Sequence, residues 1–345
     1  MTIKSPLKQS RKHNIISDKI NLSKALTDAL LFSKTCSDSD IDTIWAVDDH
    51  IYLTLGKCTI INNLHIYNFE NNFESIKNIC SNKEMMVLCS SLYAQDILPL
   101  ISYLTSNNIK FIPVGGHGVG GYVYDDRVTK ETIENAYLTQ SVDEYGKFDD
   151  PGTISDFVNI TQALNYTKHL NGSIVEVGCY RGSSGCIMLD YVNNKGICNK
   201  DFYFFDVFDG FNYIEAINSS DWIWAGTHQT EGIEIISKRL KDKSGGNNVI
   251  VKKMNIINDT IPSDIKAISL LNIDVDLYEA VGAALFRLAE YVVAGGIIIC
   301  EDAGHTPGLI GARLALEEFI NSPVGRQFTP VHMESGQVFL IRHTA

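Results

Sequence analysis

Apolar residues in the second half of the chain come in short continuous runs that end at polar residues or glycine. Runs such as Ala267–Ile273 and Gly296–Cys300 are typical of buried parallel strands. In chain order, the other predicted segments are strands at 173–177, 202–206 and 249–252 and helices at 154–170, 183–193, 279–292 and 308–320. Strands that alternate with helices predict an α/β domain with a mostly parallel sheet.

The last two apolar runs predict a hairpin. Thr329–Met333 and Gln337–Ile341 flank the turn residues Glu334–Gly336. A hairpin at this place adds an antiparallel strand to a sheet that is otherwise parallel. The predicted fold class is therefore α/β, with a Rossmann-like, mostly parallel sheet and an antiparallel C-terminal strand.

The front third of the chain has its own alternation of elements. Asp42–Asn68 alternates apolar and polar residues, which predicts short strands that could form hairpins. The segments predicted after it are a helix at Phe73–Cys80, a strand at Met85–Cys89, a helix at Ala94–Thr105 and a strand at Lys110–Val114. The polar stretch Tyr145–Gly152 predicts a linker. We expect a disordered tail at 1–20, a smaller α/β domain at 21–145 and a second domain at 146–345.

Composition excludes several classes of function. The chain has 345 residues and a net charge of −12, which argues against a nucleic-acid-binding protein because such proteins need a basic surface. No apolar run approaches the ~20 residues that span a bilayer, and the N-terminus has no secretion signal. The 8 cysteines form no Cys-x-x-Cys pair, so a reducing cytoplasm is expected and a zinc site is not.

The segment Ser173–Gly185 carries a glycine motif at a predicted turn from strand to helix. Gly178 allows the backbone to approach a ligand closely, and the amides after it can bind a carboxylate. The order is Glu-x-Gly-x-x-x-Gly, and Tyr180 stands where dinucleotide-binding turns have their second glycine. That replacement disfavours a pyrophosphate and suits a smaller adenosine ligand such as S-adenosylmethionine.

Asp206 ends the next predicted strand. Ligands of open α/β sheets bind at the carboxyl ends of the strands. A carboxylate at this place can accept hydrogen bonds from both ribose hydroxyls of a nucleoside. The alternative is a turn or helix-capping residue with no ligand.

Acidic residues also follow two later strands, with Asp274 and Asp276 after one and Glu301 and Asp302 after the other. Carboxylates in one cleft repel each other unless protons or a cation intervene. Oxygen ligands favour Mg²⁺, with Mn²⁺ or Ca²⁺ as alternatives. Strand-end capping and surface ion pairs would explain the same residues without a metal.

Two further features lie near these strand ends. His305 follows Asp302 by three residues and could orient a substrate or transfer a proton, or be an ordinary surface histidine. Phe211–Leu240 is a long connection with two tryptophans and His228. We interpret it as a lid over the ligand, with a helix packed on the domain or in a subunit contact as the alternative.

Together these motifs resemble the macrocin-type sugar O-methyltransferases of antibiotic biosynthesis, over about residues 150–340. The segments that carry the resemblance are Ile174–Gly182, Asp206–Phe211, Asp274–Tyr278 and Gly295–Asp302. Glu301 stands where the family usually has Asp. Ala303–His305 also departs from the family, which commonly has an aromatic residue there, and the front third has no clear match.

The resemblance implies a class I methyltransferase that uses S-adenosylmethionine and a divalent cation, Mg²⁺ or Mn²⁺. It implies Asp274, Glu301 and Asp302 as metal ligands, Asp276 as the general base and His305 as a second catalytic candidate. The implied cofactor-binding residues are Glu176, Gly178, Tyr180, Arg181, Gly182, Ser183, Asp206 and Phe208. Family habit suggests a homo-oligomer.

We therefore expect metal-assisted O-methylation of a sugar or polyol-like small molecule. One alternative is methylation of nitrogen or of a carboxylate without a metal. Another is a cofactor-binding scaffold that does not catalyse, with the front domain recruiting a partner protein. No nucleic acid and no membrane are expected as partners.

Overall fold

The structure is a computed structural model that describes residues 44–46, 64–66, 87–89, 102–108, 111–113, 129, 132–133 and 154–343. The chain divides into two compact units, Met1–Lys130 and Glu131–Ala345. The expected tail at 1–20 and the expected helix at 73–80 lie outside the described residues. The domain limits expected at 21–145 and 146–345 stay a prediction.

The described part of the first unit consists of two pairs of short strands. These are β1 (Ile44–Ala46) with β2 (Leu64–Ile66), and β3 (Val87–Cys89) with β4 (Phe111–Pro113). Both pairs are parallel, and residues 102–106 between β3 and β4 are helical. A hairpin within 42–68 was therefore wrong for β1 and β2, because hairpin strands are antiparallel. The strand–helix–strand order of the second pair is confirmed.

The second unit is built on a seven-stranded sheet in the order β10-β11-β9-β8-β5-β6-β7. The strands are β5 (Ser173–Val177), β6 (Asp201–Asp206), β7 (Asn248–Lys253), β8 (Ile268–Ile273), β9 (Val292–Cys300), β10 (Phe328–His332) and β11 (Val338–Arg342). Strands β5 to β9 are parallel, and β11 is antiparallel to both β9 and β10. The predicted fold class is confirmed.

Six α-helices connect or flank these strands within residues 154–343. They are α1 (Ile154–Thr167), α2 (Ser183–Asn194), α3 (Ile214–Asn218), α4 (Ile233–Asp242), α5 (Tyr278–Leu288) and α6 (Ile310–Asn321). Helix α4 lies in the segment interpreted as a lid. It buries Ile236 and Leu240 and turns charged residues outward, so this part is a helix packed on the domain.

The core lies on both sides of β8. All six residues of β8 are buried, and α5 packs against α6 beside the sheet, where Gly282 lies against Ala315. Small residues at this contact let the two helices approach closely. The core thus holds β8 and β9 firmly, and the acidic residues follow directly at their carboxyl ends.

Strand β9 is longer than the sequence predicts. It begins at Val292, and the helix before it ends at Leu288 with a short 3₁₀ turn between them. The register of β8 against β9 shifts between Ile268 and Leu270, and Gly295 opposite has a φ of +77°. A glycine can adopt this conformation without strain, so the strand continues through a bulge. Within the described residues, no helix is long and apolar enough to cross a membrane.

Candidate active site

A cleft with about 520 Å³ of empty space opens at the carboxyl ends of β5, β6 and β8. Its lining includes parts of the glycine motif, the end of β6, the residues after β7 and the residues after β8. The side chains and backbone that line it are Val177, Gly178, Tyr180, Phe205, Asp206, Val207, Gly210, Phe211, Tyr213, His228, Met254, Asn255, Ile256, Asp274, Val275, Asp276 and Ala280. The cleft therefore brings Asp206 together with Asp274 and Asp276, as the sequence predicts.

Gly178 joins the two halves of this cleft. It has a φ of +94°, and a Cβ atom there would lie 1.7 Å from the backbone oxygen of Asp274. Its N–H donates to the carbonyl of Phe205 at 2.7 Å. No other residue type fits, because both the conformation and the space exclude a side chain. The turn after β5 thus fixes the distance between the end of β6, which carries Asp206, and the acidic residues after β8.

Asp206 is held by backbone amides. One carboxylate oxygen accepts the N–H of Tyr180 at 2.8 Å, and the other accepts the N–H of Phe208 at 2.6 Å. Both donors have a positive φ, 44° for Tyr180 and 59° for Phe208. Burial raises the pKa of Asp206, and these N–H groups oppose the rise because they stabilise the charged form. One carboxylate thereby organises two loops of the cleft wall.

Five of the predicted cofactor-binding residues are not part of the cleft lining. They are Glu176, Arg181, Gly182, Ser183 and Phe208. Phe208 is buried, and Gly182 packs against Leu240 of α4 at the start of α2. Contact of these five residues with a cofactor stays a prediction.

Glu176 lies fully buried under the glycine turn. One of its oxygens accepts the hydroxyl of Ser184 at 2.5 Å and the side-chain amide of Asn272 at 3.0 Å. Its second oxygen has no hydrogen-bond partner among the described residues. Burial raises the pKa of Glu176 to about 7, and the two donors oppose this rise. The side chain connects β5, α2 and β8 beneath the cleft.

Arg181 belongs to an ionic cluster at the end of the long connection. Its Nε lies 3.5 Å from Glu231, and Arg239 of α4 lies 2.6 Å from the same carboxylate. Arg239 also donates to the carbonyl of Arg181 at 2.6 Å, and the Arg181 guanidinium lies 5.2 Å from the centre of the Tyr180 ring. The cluster fastens the glycine turn to helix α4.

The sequence analysis interpreted the long connection as a lid, but it did not show which of its aromatic residues line the cleft. Phe211, Tyr213 and His228 come from the long connection, and the His228 ring lies 4.8 Å from Phe211 and 5.7 Å from Tyr180. Met254 and Ile256 add apolar surface directly after β7. A signal was present, because aromatic residues concentrate in this connection. Their position on the cleft depends on a fold in which the connection returns over β6.

The long connection is fastened beside the acidic end. Asp221 accepts the N–H of Tyr278 at the start of α5 at 3.1 Å, and the Trp224 indole donates to the carbonyl of Gly308 at 3.2 Å. Between these contacts, Trp222 and Ile223 have 66% and 73% of their surface exposed. This part of the predicted lid is docked on α5 and the loop before α6.

The acidic residues meet at the ends of β8 and β9. Asp274 and Asp276 line the cleft, and the N–H of Asp276 donates to Asp302 at 3.2 Å. Burial raises the pKa of Asp274 and of Asp276 well above the usual range, and the charge of Asp302 raises both further. Asp276 has a φ of +57°, so its backbone is held in the left-handed region.

Glu301 and Asp302 are buried beside this wall. Glu301 accepts the side-chain amide of Gln337 at 2.5 Å, and burial raises the pKa of Glu301 well above its usual range. His305 lies 3.7 Å from Asp302. The Asp302 hydrogen bond raises the pKa of His305 to about 9, which makes its imidazole positively charged at neutral pH. A positive side chain therefore accompanies the acidic residues.

The donor chemistry of these carboxylates fits a hard divalent cation. Their oxygens are the ligands that Mg²⁺ and Mn²⁺ prefer, and a positive charge would offset the burial and the neighbouring negative charges that raise the pKa of Asp274 and of Glu301. Across residues 154–343 and the shorter described segments, however, no three His, Cys, Asp or Glu side chains are grouped closely enough to hold an ion. Binding would therefore require side chains to rotate.

Comparison with known proteins gives one family match. Residues 155–324 match the macrocin-O-methyltransferase (TylF) family. The matched segment runs from α1 to the end of α6 and contains every residue of the cleft lining. No curated protein sequence matches this chain.

Solved structures provide relatives of the fold. The O-methyltransferase NovP is 14% identical and has a TM-score of 0.52, with 65% of this chain and 98% of NovP covered. CalS11, a calicheamicin methyltransferase, is 15% identical and has a TM-score of 0.44, with 62% of this chain and 85% of CalS11 covered. At this identity, the likeness to NovP supports the class I methyltransferase fold and nothing finer.

Proposed function

The chain belongs to the macrocin-O-methyltransferase family through residues 155–324, and we propose that it methylates a hydroxyl of a sugar or polyol-like natural-product intermediate with the help of a divalent cation. Family membership makes it an O-methyltransferase that uses S-adenosylmethionine. The observation that carries the proposal is a single cleft with Asp206 at one end and Asp274 and Asp276 at the other.

The nucleoside part of S-adenosylmethionine would lie against Asp206. Backbone N–H groups of Tyr180, Phe208 and Val207 stabilise this carboxylate, and of its roughly four lone-pair sites one remains for a ribose hydroxyl. Phe211, Met254 and Ile256 offer the apolar surface that an adenine ring needs. Gly178 is part of the cleft lining, and the amino-acid part of the cofactor would lie against this turn.

Asp276 would take the proton of the acceptor hydroxyl. It lines the cleft, and its backbone is fixed by the hydrogen bond to Asp302. As the proton moves to Asp276, the acceptor oxygen bonds to the methyl carbon, the carbon–sulfur bond breaks and its electron pair stays on sulfur. The products are the methyl ether and S-adenosylhomocysteine. A positioned base of this kind contributes roughly 10²- to 10⁴-fold to the rate.

His305 would orient the acidic end or, once a cation compensates the charge of Asp302, transfer a proton. The hydrogen bond to Asp302 raises the pKa of His305 to about 9, which favours a charged imidazole that donates hydrogen bonds. Its charge lowers the pKa of Asp276 against the effects of burial and Asp302. This keeps more of Asp276 in the ionised form that a base requires.

Asp274, Glu301 and Asp302 would hold the divalent cation. When bound, a cation at this place lowers the pKa of an acceptor hydroxyl and fixes its position. The Glu301 side chain reaches one methylene further than the Asp that the family usually has. Its amide partner Gln337 donates to one carboxylate oxygen, and no hydrogen bond to the other oxygen is seen among the described residues.

An activity screen tests the proposal. We would incubate the enzyme with S-adenosylmethionine and a panel of glycosides, nucleotide-sugars and polyols, and measure S-adenosylhomocysteine release with Mg²⁺ and with EDTA. We expect turnover on a hydroxyl acceptor that EDTA stops and added Mg²⁺ restores. Turnover that survives EDTA would favour methylation without a metal, and cofactor binding without turnover on any class of acceptor would favour a scaffold.

A further inference from the structure

The loop after β7 supplies one wall of the cleft. Met254, Asn255 and Ile256 all line the cleft. The N–H of Met254 donates to the carbonyl of Asp206 at 2.8 Å, and residues 256–258 form a turn. The proposed function places the adenine ring against this wall, so the shape of the loop would decide how well the nucleoside fits.

Hydrogen bonds within the loop make it compact. The N–H of Asn255 donates to the carboxylate of Asp259 at 2.8 Å, and the carbonyl of Asn255 accepts the N–H groups of Asn258 and Asp259 at 3.2 and 2.9 Å. The side-chain oxygen of Asn255 also accepts the N–H of Ile257 at 3.0 Å. These bonds set the shape of the turn, but they do not engage the carbonyls of Ile256 and Asp259, which need donors from elsewhere.

Arg287, in the last turn of α5, supplies those donors. One nitrogen of its guanidinium donates to the carbonyl of Ile256, and another donates to the carbonyl of Asp259 at 2.5 Å. A planar guanidinium holds two acceptors in a fixed relation, which a single ammonium group cannot do. Helix α5 is itself anchored in the core, because Leu285 and Leu288 on either side of Arg287 are fully buried. Arg287 therefore ties the loop to a rigid part of the domain.

A second contact reaches the loop from α3, but it acts on a different part of it. The side-chain amide of Asn258 donates to Glu215 at 2.5 Å, and this contact lies at the surface. It holds a side chain that is not part of the cleft lining. Arg287 instead holds the backbone, and one of its two carbonyl partners belongs to the cleft residue Ile256. Loss of Arg287 would therefore change the path of the backbone that lines the cleft.

We propose that Arg287 is a positioning residue for S-adenosylmethionine, which fixes the loop after β7 in the shape that binds the nucleoside. It is not part of the cleft lining and acts through the carbonyls of Ile256 and Asp259. The proposal rests on the place that the proposed function gives to the nucleoside, and it requires no metal ion. None of the motifs in the sequence includes Arg287, which lies 31 positions after Ile256.

The test is calorimetric titration of wild type and Arg287→Met with S-adenosylhomocysteine and with 5′-methylthioadenosine, which has the nucleoside but no amino-acid part. Methionine keeps an apolar stem but donates no hydrogen bond. We expect the Kd of both ligands to rise by the same factor, roughly 10-fold, because the loop must then become ordered on binding. In turnover, the KM for S-adenosylmethionine should rise by that factor while kcat stays unchanged, a separation that a general loss of structure would not produce.

The matched control is Arg313→Met on α6. The Arg313 guanidinium pairs with Glu317 of its own helix at 2.5 Å, so this variant should bind both ligands as the wild type does. If Arg287→Met fails to fold, Arg287→Lys keeps the charge but not the planar guanidinium and should still weaken both ligands by a few-fold.

Asp206→Asn distinguishes a failure of this proposal from a failure of the proposed function. If Asp206→Asn weakens S-adenosylhomocysteine binding but the folded Arg287 variant binds it as the wild type does, the role of Arg287 is wrong and the nucleoside site stands. A loss for S-adenosylhomocysteine without a loss for 5′-methylthioadenosine would also contradict that role. If neither substitution weakens either ligand, the nucleoside does not lie in this cleft and both proposals are wrong.

Discussion

The carboxylates at the two ends of the cleft are stabilised in different ways. At the nucleoside end, Asp206 accepts backbone N–H groups, including those of Tyr180 and Phe208. At the acidic end, burial and the charge of Asp302 raise the pKa of Asp274 and of Asp276, and among the described residues the N–H of Asp276 is the backbone group that donates to a carboxylate of this set. Backbone N–H groups of the protein stabilise the carboxylate at the nucleoside end, whereas the carboxylates at the acidic end need protons or a cation to become stable.

This difference predicts different chemistry. A carboxylate that the backbone already holds is a rigid acceptor, suited to binding a neutral hydroxyl group the same way every time. Carboxylates that lie close together repel each other, and a positively charged ligand reduces this electrostatic repulsion when it binds. We therefore expect variants at the nucleoside end to change cofactor affinity and variants at the acidic end to change turnover.

The largest effect is expected at the acidic end. Asp276→Asn removes the proposed base, so kcat should fall roughly 10²- to 10⁴-fold while the Kd for S-adenosylhomocysteine stays within about 2-fold. Single-turnover methyl transfer on the acceptor found in the screen measures the first quantity, and calorimetry measures the second. Asp242→Asn, an exposed acid on α4, is the matched control. Unchanged turnover in Asp276→Asn would remove this residue from the mechanism.

A substitution at Gly178, where the turn after β5 meets the end of β8, should perturb both ends of the cleft. Gly178→Ala places a Cβ atom 1.7 Å from the backbone oxygen of Asp274 and forces alanine into a φ of +94°. We expect a loss of about 3 kcal/mol or more in the free energy of unfolding, because neither backbone can yield cheaply. Urea unfolding measures this loss. Gly196→Ala also has a positive φ but meets no atom within 4 Å, so it separates the clash from the backbone strain.

If Gly178→Ala is no less stable than Gly196→Ala, the close approach of the glycine turn to Asp274 is wrong. The distance between the two ends of the cleft would then no longer be fixed, because no other contact among the described residues holds the turn after β5 so close to the end of β8.

The next effect is expected at the nucleoside end. Asp206→Asn keeps the shape of the side chain but replaces one acceptor oxygen by a donor, so it loses one backbone N–H and one site for a ribose hydroxyl. Hydrogen bonds to charged groups contribute about 1.5–3 kcal/mol each, which predicts roughly 10- to 100-fold weaker binding of S-adenosylhomocysteine. Calorimetry checks it, and Mn²⁺ binding should stay unchanged. A variant that loses Mn²⁺ and keeps the nucleoside would reverse the assignment of the ends.

The smallest effect concerns pH. The pKa of Glu176 is raised from 4.5 to about 7 in the folded protein, so the folded state binds this proton more tightly than the unfolded state does. Its contribution to stability is complete below pH 4.5 and is lost as the pH rises towards 7. Glu176→Gln should flatten the decline between pH 5 and 7 by roughly 1 kcal/mol per pH unit. Thermal unfolding across this range measures it, and an unaltered slope would mean that Glu176 does not hold this proton.

Much of the fold could be predicted because its signals are local. The apolar runs of β5, β8 and β9, the glycine turn after β5 and the turn before β11 each specify their own element. Helix α4 shows where this fails. Its buried positions Ile236 and Leu240 have helical spacing, but the surrounding segment is long and polar and favoured a loop. The bulge at Gly295 was also missed, since a strand that bends through glycine loses its continuous apolar pattern.

Site residues that directly follow a strand could be predicted from the sequence. Site residues that come from distant segments of the chain could not. Asp206, Asp274 and Asp276 could be placed from the strands that precede them. Gln337 could not, because it reaches Glu301 from a segment distant in the sequence and belongs to no motif. His228 was placed only as part of the connection interpreted as a lid, and its position in the cleft lining depends on the fold. Glu176 was correctly located at the end of β5, but alternation along the strand turns its side chain into the core and away from the cleft.

The central claim is that the acidic end holds a divalent cation while the nucleoside end holds the cofactor. The most direct measurement is a calorimetric titration of Mg²⁺ into protein saturated with S-adenosylhomocysteine, for wild type and for Asp302→Ala. The account predicts stoichiometric Mg²⁺ binding by the wild type and none by the variant, with equal affinity of both proteins for S-adenosylhomocysteine. Wild-type protein that binds S-adenosylhomocysteine but no Mg²⁺, or a variant that binds Mg²⁺ as tightly as wild type, would contradict it.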